Sequence, residues 1–269
     1  MPVQSSATSS APTADAGLNA VLAQLIAGAR AALADNFLAA YLQGSFAAGD
    51  FDQHSDVDFL IVTAADLMAA QLADLQSLHA RLFALETRWA QHLEGSYIPR
   101  AILWRHVPPP RRLPYLDNGS RALVESDHDD TIVVRWQLRA HGIALAGPPP
   151  RDLVAPIGDD ELRAEVCQTM RTWAADLLAR PSYLANRWGQ PFVVLSYCRM
   201  LHTLATAAVH SKPAAVRWAS ENLDPRWHGL IARASDDRPD PSAKVRLPAD
   251  ERDVALTLDF VRAAIDSLG

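Results

Sequence analysis

Apolar residues recur with helical spacing near the start of the chain. The i, i+3, i+4 spacing of one helix face is formed by Leu18, Val21, Leu22, Leu25, Ile26 and Ala29. It ends around Ala34, before Asp35 and Asn36, so a first amphipathic helix is expected there. The small, polar residues before it offer too little apolar surface to offset the entropy of ordering. A disordered tail is therefore expected over residues 1–16.

Short apolar runs then alternate with helical patterns. Residues 37–42 and 57–62 predict two neighbouring strands, joined by a loop rich in glycine and aspartate. A long helix is expected over 66–92, followed by a third strand over 93–103 that Pro99 interrupts. Alternation of strands with helices is typical of an α/β sheet.

The remainder of this first region contains a proline-rich loop. Residues 108–114 must be irregular, because prolines withhold donors and forbid helix. A helix is expected over 131–141 and a brief strand over 142–147, which ends at a run of prolines. The domain boundary is placed near Pro156 and Ile157, giving a first domain over residues 17–157.

Beyond that boundary every pattern is helical. Helices are expected over residues 159–178, 191–209, 213–223 and 250–268. Since no strand candidate remains, the second domain, 158–269, is predicted to be an all-α helical bundle.

Composition narrows the class of protein. With 49% hydrophobic residues, no uncharged apolar run of eighteen and no basic leader, neither a membrane span nor a secretory signal is expected, and the protein is predicted to be cytoplasmic. Cys167 and Cys198 are interpreted as buried apolar side chains. The net charge of −6 and the scattered basic residues argue against nucleic acid as a partner. We expect a monomer.

The pair Asp56 and Asp58 is the first candidate for chemistry. Strand side chains alternate, so these two carboxylates share one face, about 6.6 Å apart along the strand. Asp58 also begins an otherwise apolar run, where a charge requires a cationic partner. Carboxylate oxygens suit Mg²⁺, which shares its shell with substrate phosphates. An acidic strand start that is capped by solvent or by an arginine is the alternative.

Two further features adjoin this pair in the predicted sheet. Gly44 and Ser45 follow the first strand, where exposed amides can bind a phosphate oxygen, although a Gly-Ser pair is more often a plain turn. Glu94 opens the third strand and would act as a base toward a substrate hydroxyl if it faces the same cleft. A solvated glutamate at the strand edge is the alternative.

The segment from Tyr41 to Val62 resembles the glycine-serine to paired-aspartate signature of the polymerase-β-like nucleotidyltransferases. More specifically, residues 131–147, the helix around Arg199 and the Ser211-Lys212-Pro213 turn resemble the adenylyltransferases that modify streptomycin and spectinomycin. The resemblance extends from about residue 17 to the C-terminus. It implies an α/β (α+β) nucleotidyltransferase domain with a mixed sheet, followed by a helical domain.

The resemblance also implies roles for particular residues. Mg²⁺ and the triphosphate of ATP would be bound by Gly44, Ser45, Ser55, Asp56 and Asp58, with Glu94 as catalytic base and third metal ligand. In a second group, Asp130 would line the interdomain cleft, while Arg199 and Lys212 would bind the nucleotide phosphates.

The residues themselves support the last two roles. Arg199 stands in an apolar run, where a guanidinium needs an anion, although a structural salt bridge is an equal alternative. Lys212 opens a helix next to the cap Ser211, where a phosphate would favour both the helix dipole and the lysine. It is one of only two lysines, the other being Lys244.

The acceptor is where the resemblance weakens. Trp173 is either an aromatic on which an aminoglycoside rests or a core residue. The family places an acid shortly before the arginine helix, yet residues 185–192 contain none. We therefore expect an adenylyltransferase acting on a small hydroxylated molecule, with an aminoglycoside as the first candidate. A different small molecule or a protein as acceptor, or a non-catalytic nucleotide-binding module, are the alternatives.

Overall fold

The computed structural model describes residues 11–51, 55–237 and 244–269. Contacts between Cα atoms divide these residues into two compact units. Unit 1 comprises the residues up to Ala47 together with Asp56–Thr131 and Leu138–Ala155, and unit 2 comprises Ala48–Ser55, Ile132–Gln137 and Pro156–Gly269. The bounds expected from sequence, 17–157 and 158–269, stay a prediction. Most of the expected tail lies outside the described residues, but Thr13 and Asp15 bond to the first helix.

The strands and helices have the following bounds. The strands are β1 Phe37–Leu42, β2 Val57–Thr63, β3 Leu93–Pro99, β4 Leu113–Leu116, β5 Leu123–Ser126 and β6 Ile143–Ala146. The helices are α1 Ala16–Leu33, α2 Gly44–Ala47, α3 Ala69–Phe83, α4 Arg88–Gln91, α5 Arg100–Leu103, α6 Ile132–His141, α7 Asp159–Ala179, α8 Gly189–Thr206, α9 Lys212–Asn222, α10 His228–Asp236 and α11 Glu251–Asp266.

Unit 1 is built on one mixed sheet of six strands in the order β5-β4-β3-β2-β1-β6. The β2 and β3 strands pair in parallel, and the other neighbours pair antiparallel. The predicted mixed sheet is therefore confirmed. Because β2 and β3 are parallel, residues at the start of both strands lie side by side.

The first helix packs on the sheet as the sequence indicates. Its N-terminus is capped by the Asp15 carboxylate, which accepts the amide of Leu18 at 2.8 Å, and its apolar face is buried. At Gly28 a Cβ would lie 2.2 Å from a methyl of Leu78, so glycine permits the close approach of α3. By length and composition alone, Ala16–Asn36 would also suffice to cross a membrane. Since its apolar face is buried in the core of unit 1, a core helix explains the same pattern.

Three predictions in unit 1 need correction. The helix expected over 66–92 is two helices, α3 and α4, because the chain breaks at Glu86, whose φ of +52° is incompatible with helix. The strand expected over 93–103 ends at Pro99, after which α5 begins. The irregular loop expected to Pro114 gives way to β4 at Leu113, and neither β4 nor β5 is predicted by the sequence.

Unit 2 is helical, as expected. In the described residues, α7, α8, α9 and α11 each begin and end within three residues of the predicted bounds. Their shared core contains Met170, Val194, Tyr197, Ile231 and Phe260. The helix α10 is missing from the prediction, although its buried residues Leu230, Ile231 and Ala234 follow helical spacing.

Unit 1 contains a buried histidine that should make its stability depend on pH. His79 is 1% exposed, its Nε2 lies 2.8 Å from the hydroxyl of Tyr97, and its ring stacks on Phe59. Burial lowers the pKa of His79 from 6.5 to about 4. Between these values the unfolded chain binds the proton and the folded chain does not, so stability falls as the pH drops from 6.5 towards 4.

We expect this effect to be absent from the variant His79→Gln, which keeps a hydrogen-bonding side chain but does not titrate. The wild type should lose on the order of 3 kcal/mol more than the variant over this pH range. Urea unfolding followed by circular dichroism at several pH values measures the difference. A stability gap between the two proteins that does not change with pH would contradict the assignment.

Candidate functional site

Three acids converge at the start of the parallel strand pair. Asp58 lies in β2 directly opposite Glu94 in β3, and Asp56 precedes Asp58 by two residues on the same side. One carboxylate oxygen from each acid lies within 4.8 Å of the others. All three residues are half-buried. The structure thus brings together the three acids singled out from the sequence.

Gly44 forms part of the same site, because it lies so close to the Asp58 carboxylate that a larger residue would not fit. The residue has a φ of +64°, and a Cβ on it would lie 1.8 Å from Oδ2 of Asp58. The amide of the preceding Gln43 donates to the carbonyl of Asp58 at 2.8 Å. The turn between β1 and α2 is therefore packed directly against the Asp58 carboxylate, and the half-buried Ser45 follows in α2.

Glu94 has an environment that favours its protonated form. Burial and the neighbouring Asp58 raise its pKa to about 8, with smaller effects from Asp56 and Asp129, although a hydrogen bond from Tyr115 opposes them. The hydroxyl of Tyr115 donates to Oε1 of Glu94. A carboxylate with this proton affinity suits a general base that acts near neutral pH.

Further side chains from β4 and the turn after β5 surround Glu94, and sequence reasoning did not single them out as individual site residues. The imidazole of His128 lies over the Tyr115 ring, with centroids 5.2 Å apart, and its Nε2 is 3.6 Å from Oε1 of Glu94. Asp129 is 5% exposed, and burial raises its pKa, while His128 and Ser96 oppose this rise. In the sequence, Asp129 belongs to a run of acids over residues 125–130, and that pattern does not distinguish it from its neighbours.

Asp130, which the resemblance assigns to the nucleotide, has structural contacts. It is 2% exposed; its Oδ2 accepts the amide of Arg111 at 2.5 Å and its Oδ1 lies 3.5 Å from Nδ1 of His106. These contacts hold the segment after α5 in place. Its role toward a nucleotide stays a prediction.

In unit 2 the two predicted phosphate-binding cations both lie at the turn that contains His210 and Ser211. Arg199 extends from α8, and its Nε donates to the carbonyl of His210 at 3.0 Å. Lys212 is the first residue of α9, after the cap Ser211, and its Nζ lies 5.6 Å from the centroid of Phe192. Ser55, which also groups with unit 2, is 5% exposed.

Trp173 packs in unit 2 and also borders a cavity. It packs against the core of unit 2, with its ring centroid 6.0 Å from that of Phe192. It also lines a cavity of about 420 Å³ together with Asp176, Arg180 and Tyr183. Asp176 pairs there with Arg180 at 3.6 Å. The role of Trp173 toward an acceptor stays a prediction.

Comparison with known proteins shows which family the chain resembles. A model of the nucleotidyltransferase domain matches residues 29–105, and a model described as the C-terminal domain of aminoglycoside adenylyltransferase matches residues 152–263. The two regions thus match a nucleotidyltransferase domain and the C-terminal domain of aminoglycoside adenylyltransferases. The protein is therefore a nucleotidyltransferase.

Individual relatives agree with this assignment at low identity. An aminoglycoside (3'') (9) adenylyltransferase of Escherichia coli is 24% identical over 212 residues, covering 75% of this chain and 78% of the relative. A spectinomycin 9-adenylyltransferase of Campylobacter jejuni is 25% identical over 226 residues, covering 79% and 82%. The crystal structure of spectinomycin adenyltransferase AAD(9) from Enterococcus faecialis, with ATP and spectinomycin, matches with a TM-score of 0.66 at 15% identity. The match covers 92% of this chain and 98% of the chain in the crystal structure, and it supports the fold.

The packing of Gly44 on Asp58 leads to a test with a matched control. Gly119 has a similar φ of +75°, but a Cβ on it would meet nothing within 4 Å. Gly44→Ala and Gly119→Ala should therefore share a backbone cost of about 1–2 kcal/mol. Only Gly44→Ala should also abolish the stabilisation of the protein by Mg²⁺, which thermal unfolding with and without the ion measures. An equal response of the two variants to Mg²⁺ would rule out this role of Gly44.

Repulsion among the three acids should be visible in the metal-free protein. Asp58→Asn removes one of the charges that raise the pKa of Glu94, so the variant should unfold a few degrees higher than the wild type, corresponding to about 1 kcal/mol. It should also lose its response to Mg²⁺. Asp74→Asn, an exposed acid on α3, is the control and should change neither quantity. A lower unfolding temperature for metal-free Asp58→Asn would argue against repulsion as the dominant interaction.

Proposed function

We propose that this protein transfers AMP from ATP to a hydroxyl group of a small molecule, with an aminoglycoside of the streptomycin or spectinomycin type as the first candidate acceptor. The convergence of Asp56, Asp58 and Glu94 on one point supports the proposal most directly. The names of the relatives support the choice of nucleotide and acceptor. The reaction would take place in the cytoplasm, where ATP is available, and we expect the protein to act as a monomer.

The three acids suit a magnesium ion by the chemistry of their donors. Carboxylate oxygens are hard ligands, and three of them within 4.8 Å of one another concentrate negative charge that a divalent cation would neutralise. Asp56 and Asp58 would hold the ion, with Glu94 as a third ligand or as its neighbour. When bound, the ion supplies electrostatic stabilisation for phosphate oxygens.

Glu94 would act as the base. Without a cation, burial and Asp58 raise its pKa to about 8. A bound cation would lower this pKa and favour the ionised form, which can accept the proton of an acceptor hydroxyl. The hydroxyl oxygen would then attack the α-phosphorus of ATP, and the bond from that phosphorus to the β,γ-pyrophosphate would break as pyrophosphate leaves. Tyr115, which donates to Oε1 of Glu94, would orient the carboxylate.

Other predicted residues would bind the nucleotide. The amides of the turn at Gly44 and Ser45, with Ser55, would bind the triphosphate. Arg199 and Lys212 would balance the charge that develops on the pyrophosphate, since both border the turn at Ser211. The role of Asp130 remains that implied by the resemblance.

The acceptor is the least constrained part of the proposal. Trp173 and the cavity it lines offer an aromatic surface. The absence of any acid in residues 185–192 favours a second candidate, an adenylyltransferase that modifies another small hydroxylated compound or a protein. A non-catalytic nucleotide-binding module is disfavoured, because all three expected acids are present.

Incubation of the purified protein with ATP, Mg²⁺ and either streptomycin or spectinomycin tests the proposal. Mass spectrometry should detect the antibiotic carrying one AMP group, and pyrophosphate should be released in equal amount. Glu94→Gln should lower the rate by a factor of about 10²–10⁴, as expected for loss of a general base. Glu125→Gln, an exposed acid in β5, should behave as the wild type.

The failures of this experiment are distinguishable. If no antibiotic is modified but α-labelled ATP labels a compound or protein in cell extract, the second candidate is correct. If no acceptor is labelled, or if Glu94→Gln is fully active, the catalytic assignment of this site is wrong.

A further inference from the structure

Asp50 makes a contact that the proposed reaction does not use. Its carboxylate accepts a hydrogen bond from the hydroxyl of Ser211. Asp50 belongs to Ala48–Ser55, which connects the Gly44 turn with Asp56 along the chain and groups with unit 2. Ser211 caps α9, because its Oγ also accepts the amide of Ala214 at 3.3 Å.

The surroundings of this contact are electropositive. The N-terminus of α9 carries the positive end of the helix dipole, and Lys212 is the first residue of that helix. Arg199 bonds to the carbonyl of His210, the residue before Ser211. The N-terminus of α9 therefore favours a negative charge at Ser211.

Local chain geometry delivers Asp50 to this position. Gly49 has a φ of +72°, yet a Cβ on it would meet nothing within 4 Å, so only its backbone conformation calls for glycine. The reversal at Gly49 directly precedes Asp50, which is half-buried. The backbone turn at Gly49 thus sets the position of the Asp50 carboxylate.

We propose that Asp50 is an internal competitor of the nucleotide, which holds the phosphate-binding position at Ser211 until a triphosphate displaces it. The inference rests on the proposed function for the identity of the nucleotide. The Asp50 carboxylate and a phosphate oxygen are both anionic acceptors, so they compete for the same hydroxyl at the N-terminus of α9. Displacement frees residues 48–51 from α9, and nucleotide affinity is reduced by the free energy of the Asp50 contact.

Calorimetric titration of the full-length protein tests this proposal with two probes, ATP in the presence of Mg²⁺ and inorganic tripolyphosphate. Asp50→Asn removes the charge and should lower the Kd for both probes by a factor of about three to ten. Asp50→Glu keeps the charge and should stay closer to the wild type. Glu221→Gln removes the same charge from the exposed far end of α9, and should leave both Kd values within a factor of about two. Circular dichroism checks that each variant is folded.

Each result decides between the proposals. An unchanged or higher Kd for Asp50→Asn, with normal binding and AMP transfer by the wild type, overturns the internal competitor and leaves the proposed function intact. Tighter binding of tripolyphosphate by Asp50→Asn, without AMP transfer to any acceptor, supports the competitor and removes the proposed function. Binding of neither probe to any of these proteins overturns both.

Discussion

The parallel pairing of β2 with β3 is the constraint on which the candidate site depends. It sets Asp58 beside Glu94 in register, and the strand alternation adds Asp56 to the same side. A shift of one residue in this register would turn Glu94 away from Asp58. The turn at Gly44 then covers the Asp58 carboxylate so closely that no other residue fits. The positions of the acids therefore depend on both the strand pairing and the turn at Gly44. A change in either would move the acids apart.

The close placement of the three acids disfavours folding, although it suits the proposed chemistry. Three half-buried acids within 4.8 Å of one another repel, and the raised pKa of Glu94 reflects both this repulsion and its burial. The apolar core beneath the sheet, in which α1 packs against α3 and β2 is nearly all buried, offsets that cost. Local conflict of this kind, surrounded by consistent packing, is typical of a functional site.

The sequence predicted what depends on local pattern. Periodicity was sufficient for α1, β1, β2 and most helices of unit 2, because apolar spacing along one segment reports the face that is buried. It did not predict the break at Glu86, where a single residue in the left-handed region ends a helical pattern. It also missed β4 and β5, which are four residues long and are defined by their pairing with neighbouring strands rather than by a long apolar pattern. The same limit applies to the site: Asp56, Asp58 and Glu94 were found from sequence, whereas Tyr115 and His128 reach Glu94 only through that missed pairing.

The two units carry opposite electrostatic problems. In unit 1, carboxylates lie close together at the start of β2 and β3. In unit 2, the turn before α9 carries positive charge, and the carboxylate of Asp50 bonds to it. On the proposed function, a cation would relieve the repulsion in unit 1, and a phosphate would compete with Asp50 for the position at Ser211 in unit 2. Affinity for the phosphate would then be reduced by the free energy of the Asp50 contact, so a residue outside the catalytic acids can set it without touching the reacting atoms.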